Sequence, residues 1–312
     1  MAHSRPFRFG VQLHRADSAE DWRAQARTAE DLGFSTVFMP DHFGDQLAPV
    51  PALVAVADAT TELRVGTLVL DNDYKHPVVL AKELATIDLL SEGRLEVGLG
   101  AGWMLSDYEQ AGLAYDEPRV RVDRMEEGLR VLKGAFAEGP FDFAGEHYTV
   151  TGYDGQPKPV QRPHPPILIG GGRRRLLSIA AREADIVGIN PSIPNGQVDA
   201  ASVQTGTRAR TDEKVAWVRE AAGARFDDLE LNMLVFFAAI TDDRAGLVEK
   251  LAPGFGLPPA EVDGYPHAWV GSVGEITDEL EAHRERWGVS YWVVQEGAMH
   301  DVAPVVAALR GR

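Results

Sequence analysis

What most restricts the folding of this 312-residue chain is an order of local patterns that repeats eight times, a short apolar run followed by a stretch with helical spacing. The runs Phe7 to Leu13, Thr36 to Met39, Leu63 to Leu70, Leu95 to Leu99, Pro166 to Ile169, Asp185 to Ile189, Leu229 to Ile240 and Tyr291 to Val294 read as strands. Helical spacing follows each: Ala19 to Leu32, Val50 to Thr60, Pro77 to about Leu90, Arg119 to Ala137, the pattern from Leu176, Glu213 to Ala222, Ile276 to Trp287, and Val302 to Leu309. Local punctuation agrees. Gly33 stands where the first helix must stop, and Pro77 sits at a helix start, where its missing N–H costs nothing. Leu63 to Leu70 is too continuously apolar for a half-exposed strand, which suits a parallel strand covered on both faces. Strict β-then-α order implies an α/β protein, a (β/α)8 TIM barrel, whose functional groups collect on the loops after the strands.

Longer excursions after strands 4, 6 and 7 are expected as insertions. The first holds a short helix and loop, Tyr108 to Tyr115, a hairpin over Phe141 to Tyr148 with Gly145 in its turn, and a proline-rich connector, Pro157 to Pro166. Residues 191–210 are polar with little apolar periodicity and read either as a mobile loop over the site or as a plain surface loop. Arg244 to Leu251 begins a further helix, and Pro253 to Pro266 is a Gly/Pro loop. Length alone permits two domains or one large barrel. No internal repeat and no linker between composition regimes is found, so residues 1–312 are expected to form one domain.

A formal charge of -16 argues against duplex nucleic acid or an anionic membrane surface as partner. The absence of cysteine removes disulfides, thiolate metal sites and a cysteine nucleophile, and fits a reducing cytoplasm. Met1 to Pro6 lacks the apolar core of a signal peptide, and no run approaches a membrane span. A cytoplasmic protein acting on a small molecule is the expectation.

The polar and glycine-rich features fall at the carboxyl ends of the assigned strands: His14, Asp41 with His42, Asp71 with Asn72, Gly100 to Trp103, Gly170 to Arg174, Asn190, and Gln295 with Glu296. In Gly170-Gly171-Gly172-Arg173-Arg174-Arg175 a strand runs through bare glycines into a helix start. Exposed N–H groups and the positive end of a helix favour an anion there. Three cations in that first turn oppose the helix dipole, which points to a compensating negative ligand, against the alternative of a solvated turn. Asp41-His42 is a simple turn or a pair that contacts a bound ring and moves a proton. His14 reads as pocket wall. Trp103 offers a flat surface for a planar guest or packs beneath its loop. His76, His147, His164, His267, His283 and His300 read as loop or helix-surface residues. No spacing suits a metal, and no Gly-x-Ser-x-Gly is present.

Taken together, several segments resemble the luciferase-like monooxygenase superfamily and, more narrowly, its coenzyme F420-dependent oxidoreductases. They are Glu30-Asp31-Leu32-Gly33-Phe34 with Pro40-Asp41-His42, Arg64 to Leu70 with His76-Pro77, Ser91-Glu92-Gly93-Arg94 through Gly98 to Trp103, Pro165 to Gly172, and Ala180 to Asp185. The resemblance implies a flavin-like ring at the carboxyl rim, its phosphate on the amides of Gly170, Gly171 and Gly172, with Arg173 and Arg174 beside it. It further implies a non-proline cis peptide at Leu68-Val69 behind the ring, with Gly100, Ala101 and Gly102 lining the cofactor. Asp41 and His42 would lie beside the ring, with His42 as contact or proton relay and Asp41 orienting it. His14, Trp103 and Asn190 would shape the substrate pocket. A homodimer is also implied.

Two departures argue against oxidation of a sugar phosphate: Trp103 stands where that branch carries a proton-donating glutamate, and Asp45-Gln46-Leu47 where it carries a tryptophan. F420 has an acidic tail that a basic exit at Arg173, Arg174 and Arg175 would suit. The competing readings are an FMN-dependent monooxygenase and a non-catalytic F420 or FMN carrier or sensor.

Overall fold

The computed structural model describes residues 5–193 and 195–312. Residues 1–4 of the amino-terminal stretch considered above, and Pro194 within the 191–210 segment, lie outside the described residues.

Eight parallel strands close on themselves. They are β1 (Arg8–Gln12), β2 (Thr36–Met39), β3 (Arg64–Thr67), β4 (Leu95–Gly100), β5 (Ile167–Gly171), β6 (Ile186–Ile189), β7 (Glu230–Leu234) and β8 (Val289–Gln295). Strand β1 pairs with β8 and β2, and the pairing of Val65 with Leu95 closes β3 onto β4. The outer helices are α1 (Ala19–Asp31), α2 (Pro49–Ala59), α3 (Pro77–Leu90), α4 (Pro118–Phe136), α5 (Arg174–Glu183), α6 (Arg208–Ala222), α7 (Val273–Trp287) and α8 (Ala303–Leu309). The protein is therefore a (β/α)8 barrel.

Each helix turns a small or apolar stripe inward. In α1, Trp22, Ala26 and Ala29 are buried, Ser18 accepts the N–H of Asp21 as a cap, and the indole of Trp22 donates to the Ala52 carbonyl of α2. Helix α7 begins with a reciprocal Ser272 and Glu275 capping box.

The amino end of the barrel is filled by charge. Arg8 donates to Glu230 through two nitrogens at 2.8 and 2.6 Å, and to Glu96 at 2.5 Å. Arg64 also binds Glu96 at 2.7 Å, and Tyr291 donates to its other oxygen at 3.1 Å. The network ties β1, β3, β4, β7 and β8 together at the end away from the carboxyl rim.

The insertions after strands 4, 6 and 7 are present, but four local expectations are corrected. The run Leu229 to Ile240 is not one strand. It leaves the barrel after Leu234, and Phe237–Ile240 pairs in parallel with Ala268–Gly271. An apolar run reads the same whether the barrel buries it or, as here, a satellite core of Val248, Ala252, Leu257 and Val262 lies beside it. The supposed Gly/Pro loop, Pro253 to Pro266, hides the end of a helix, Arg244–Phe255, and a short helix, Pro259–Val262, and the partner strand follows it. Residues 191–210 contain a helix, Ala200–Gln204, capped by Asp199, and α6 already begins at Arg208. Buried Lys214 of α6 pins this segment at both ends, donating to the carbonyls of Asn190 at 2.7 Å and Thr205 at 2.6 Å. Two histidines assigned to the surface are buried: His267 opens the Ala268–Gly271 strand, and His283 stacks on Trp287. Among the described residues no helix is long and apolar enough to cross a membrane.

Candidate active site

A cavity of about 1330 Å³ opens at the carboxyl ends of the strands, its wall drawn from β1 through β8 and from the insertions. Its floor is an interruption in β3. The Leu68-Val69 peptide is cis, and the chain resumes pairing only at Leu70–Asp71, opposite Leu99 and Gly100. Side chains satisfy the polar groups this break would strand. The Thr67 hydroxyl accepts from Gly98 N–H and donates to the Gly98 carbonyl, both at 2.9 Å. Buried Gln12 donates to the Leu68 carbonyl at 2.9 Å and is itself held by Gln295. Only glycine fits at position 98, because a Cβ would lie 1.9 Å from the Thr67 carbonyl oxygen.

His42, on the loop after β2, places Nδ1 2.7 Å from Oδ2 of Asp107. Asp107 is buried and belongs to the short helix Leu105–Ala111 after β4. It also accepts from the Tyr74 hydroxyl at 3.1 Å and, more weakly, from Phe43 N–H at 3.4 Å. A carboxylate filled with donors in this way takes Nδ1–H of His42, which leaves Nε2 with the lone pair. Trp103 meets the imidazole edge-on, ring centres 5.4 Å apart.

Among the described residues no hydrogen bond joins Asp41 to His42. The Asp41 carboxylate accepts the N–H of Asp71 at 3.1 Å and so fixes the chain beyond the β3 interruption. Asp71 lies buried beneath the β4 glycines, accepting from the Tyr108 hydroxyl at 2.9 Å and from Asp73 N–H at 2.9 Å. Burial, with the charge of Asp73, pushes the Asp71 carboxyl up to about 7. Burial also raises Asp41. Gly102 is required here: at φ +73°, a Cβ would stand 1.9 Å from the Tyr108 oxygen.

Gly170, Gly171 and Gly172 line the cavity at the start of α5, and the N–H groups of Gly172 and Arg173 meet no acceptor among the described residues. Arg173 is at the mouth without an acidic partner among the described residues, whereas Arg174 turns away to Glu220 at 2.8 Å and lies outside the cavity. That corrects its place beside the glycines, since α6 offers it a carboxylate on the outer surface. Arg175, at the mouth, is paired with Asp123.

The cavity thus gathers His14, Asp41, His42, Leu68, Val69, Gly100, Ala101, Gly102, Trp103, Gly170, Gly171, Gly172, Arg173 and Asn190. His14 is braced by Glu296 at 3.1 Å. Asn72 faces elsewhere, donating to the Tyr148 hydroxyl. Sequence reasoning passed over Gln12, Tyr74, Asp107 and His267. Gln12 had a usable signal, a polar residue inside an apolar strand. Asp107 had none, because its partner is 65 positions away.

A model of the family described as luciferase-like monooxygenase matches residues 1–305. An FMNH(2)-dependent dimethylsulfone monooxygenase of Pseudomonas putida is 30% identical over 270 residues, covering 82% of this chain and 69% of that protein. An F420-dependent glucose-6-phosphate dehydrogenase of Nakamurella multipartita is 29% identical over 300 residues, covering 91% and 84%. In fold, the coenzyme F420-dependent tetrahydromethanopterin reductase of Methanopyrus kandleri superposes over 98% of this chain and 100% of its own, with TM-score 0.76 and 19% identity. A long-chain alkane monooxygenase also reaches 0.76, at 16% identity and covering 98% and 91%.

Proposed function

This chain belongs to the luciferase-like monooxygenase family, and on that premise we propose that it is a coenzyme F420-dependent oxidoreductase, exchanging a hydride between F420 and a small organic substrate at the carboxyl rim. The observation that carries the reading is the conjunction, in one cavity, of Gly172 and Arg173, whose amides and guanidinium have no partner among the described residues, with an imidazole held by buried Asp107.

The residues present fit such a coenzyme. The N–H groups of Gly172 and Arg173 and the start of α5 would take its phosphate, and Arg173 at the mouth would meet its acidic tail. Leu68, Val69, Gly100 and Gly102 would border its ring. When bound, the coenzyme supplies the carbon that gives or takes hydride. The chain supplies the proton path: Nε2 of His42 takes the proton of a substrate hydroxyl as its carbon is oxidised, or returns it in the reverse direction. Asp107 keeps Nδ1 protonated and stabilises the imidazolium that forms. Trp103 shapes the space in front of that nitrogen.

The identity with the FMNH(2)-dependent monooxygenase favours a second reading, in which FMN occupies the same rim. Titration of the purified protein with F420 and with FMN, followed by fluorescence, separates the two. We expect F420 to bind at least tenfold tighter, about 1.4 kcal/mol, and Arg173→Ala to weaken it several-fold while Arg174→Ala does not. Tighter binding of FMN, with oxygen consumed in the presence of a flavin reductase, would establish the second reading. Hydride transfer over a substrate panel distinguishes an enzyme from a carrier.

A further inference from the structure

One wall of the cavity, built by the segment inserted after β7 together with Leu234 at the end of β7 and Val203 from the insertion after β6, is almost wholly apolar: Val203, Leu234, Phe236, Phe255 and Tyr265. The exception is His267. Its Nδ1 lies 2.7 Å from the Leu234 carbonyl oxygen, at the end of β7. A carbonyl can only accept, so Nδ1 carries the hydrogen and Nε2 is left as a bare acceptor. No donor among the described residues reaches Nε2, which is closed to solvent. Burial holds the imidazole neutral, pulling its pKa down to about 3, so Nε2 does not acquire a proton of its own. The nearby Tyr265 hydroxyl is committed to the Val203 carbonyl at 2.8 Å. A buried acceptor left unmatched destabilises a fold, unless the missing donor arrives with a ligand.

We propose that His267 is a substrate-recognition residue, whose Nε2 accepts a hydrogen bond from a hydroxyl group on an otherwise apolar small molecule held against this wall. That the molecule is the substrate rests on the oxidoreductase reading above. An ammonium group would bring an uncompensated charge against a wall without a carboxylate, and an ether or hydrocarbon would leave Nε2 unmatched. Phe236, 49% exposed, stands beside His267 with ring centres 5.5 Å apart, and since Nε2 is closed to solvent a ligand reaches it only when a neighbouring side chain such as this one turns aside.

The test uses the full chain without coenzyme and two probes of matched shape, cyclohexanol and methoxycyclohexane. In protein labelled with nitrogen-15 at histidine, the His267 Nε2 resonance is expected in the unprotonated range and to shift on adding cyclohexanol but not methoxycyclohexane. The alcohol should bind at least fivefold tighter than the ether. His267→Phe should cut that preference to under twofold, and His267→Gln, which keeps an acceptor, should restore part of it. Equal binding of the two probes, no binding of either up to their solubility, a resonance in the protonated range, or a preference that survives His267→Phe would each overturn the proposal. The wild-type spectrum decides even where the phenylalanine variant fails to fold. F420 titration of the same protein is independent of these readouts, so loss of the alcohol preference with F420 affinity intact condemns the recognition role and leaves the coenzyme reading standing.

Discussion

Asp107 decides what His42 can do. An imidazole on an exposed loop samples several orientations, whereas one bonded to a buried carboxylate at 2.7 Å presents a single nitrogen in a single tautomer. Asp107→Asn should therefore lower the hydride-transfer rate by about 10²-fold or more, within the range general acid–base groups contribute, while F420 affinity stays within about threefold. Stopped-flow rates and fluorescence titration check the two halves; a fall in affinity matching the fall in rate would make Asp107 a mere structural prop. Asp71 gives a separate test. Its carboxyl ionises near 3.8 in the unfolded chain and about 7 in the folded protein, so folded protein retains a proton that unfolded protein has lost. Stability from this group falls as pH rises from about 4 to about 7 and is level above. Between pH 5 and pH 8, urea unfolding should show Asp71→Asn gaining about 2 kcal/mol on the wild type. A constant difference across that range would mean Asp71 is not held protonated.

Among the elements, the segment between β6 and α6 shows how a polar stretch acquires a fixed course. Its own signals are weak, and the cap by Asp199 orders only one short helix. The clasp is Lys214, whose ammonium spans Asn190 and Thr205 from within α6. Burial, reinforced by the charge of Arg210, draws its pKa down to about 8, yet two carbonyls still face it. Lys214→Met keeps the length and removes both bonds. It should cost about 2–3 kcal/mol, in the range of two hydrogen bonds from a charged donor, and speed amide exchange across residues 192–206. Unchanged exchange there would show that neighbouring packing, not the lysine, fixes the segment.

At the scale of the whole molecule, the barrel divides its labour between its ends. Glycines and irregular backbone open the carboxyl end, and the amino end is closed by Arg8, Arg64, Glu96, Glu230 and Tyr291. Burial by itself would raise the Glu96 carboxyl, but the guanidinium groups of Arg8 and Arg64 outweigh it and hold the carboxyl below its usual value. A lowered carboxyl stabilises the fold above about pH 4.5 and ceases to as pH falls through the folded value. Glu96→Gln should cost about 3 kcal/mol at pH 7, as buried pairs do on losing one partner. The deficit should shrink below pH 4, as thermal unfolding across that range would show. A deficit independent of pH would assign it to packing alone.

Much of this was legible in the chain. The period of apolar residues, Gly33 and Pro77 at helix ends, and the glycines at residues 98–102 and 170–172 act locally, so neighbours in sequence suffice to read them; the barrel and its rim follow. The resemblance added the Leu68-Val69 bond, which no periodicity encodes. What tertiary structure alone decided is pairing across distance. Whether Arg173 or Arg174 faces the cavity depends on Glu220 of another helix. That Asp107, not Asp41, grips His42 depends on the path of the chain after β4. That Leu229 to Ile240 splits at Leu234, and that His267 keeps a bare nitrogen within the wall, depend on which surface buries them. A hydrogen bond is satisfied by whatever group folding brings near, and a one-dimensional string carries no record of that proximity until the backbone has closed upon itself.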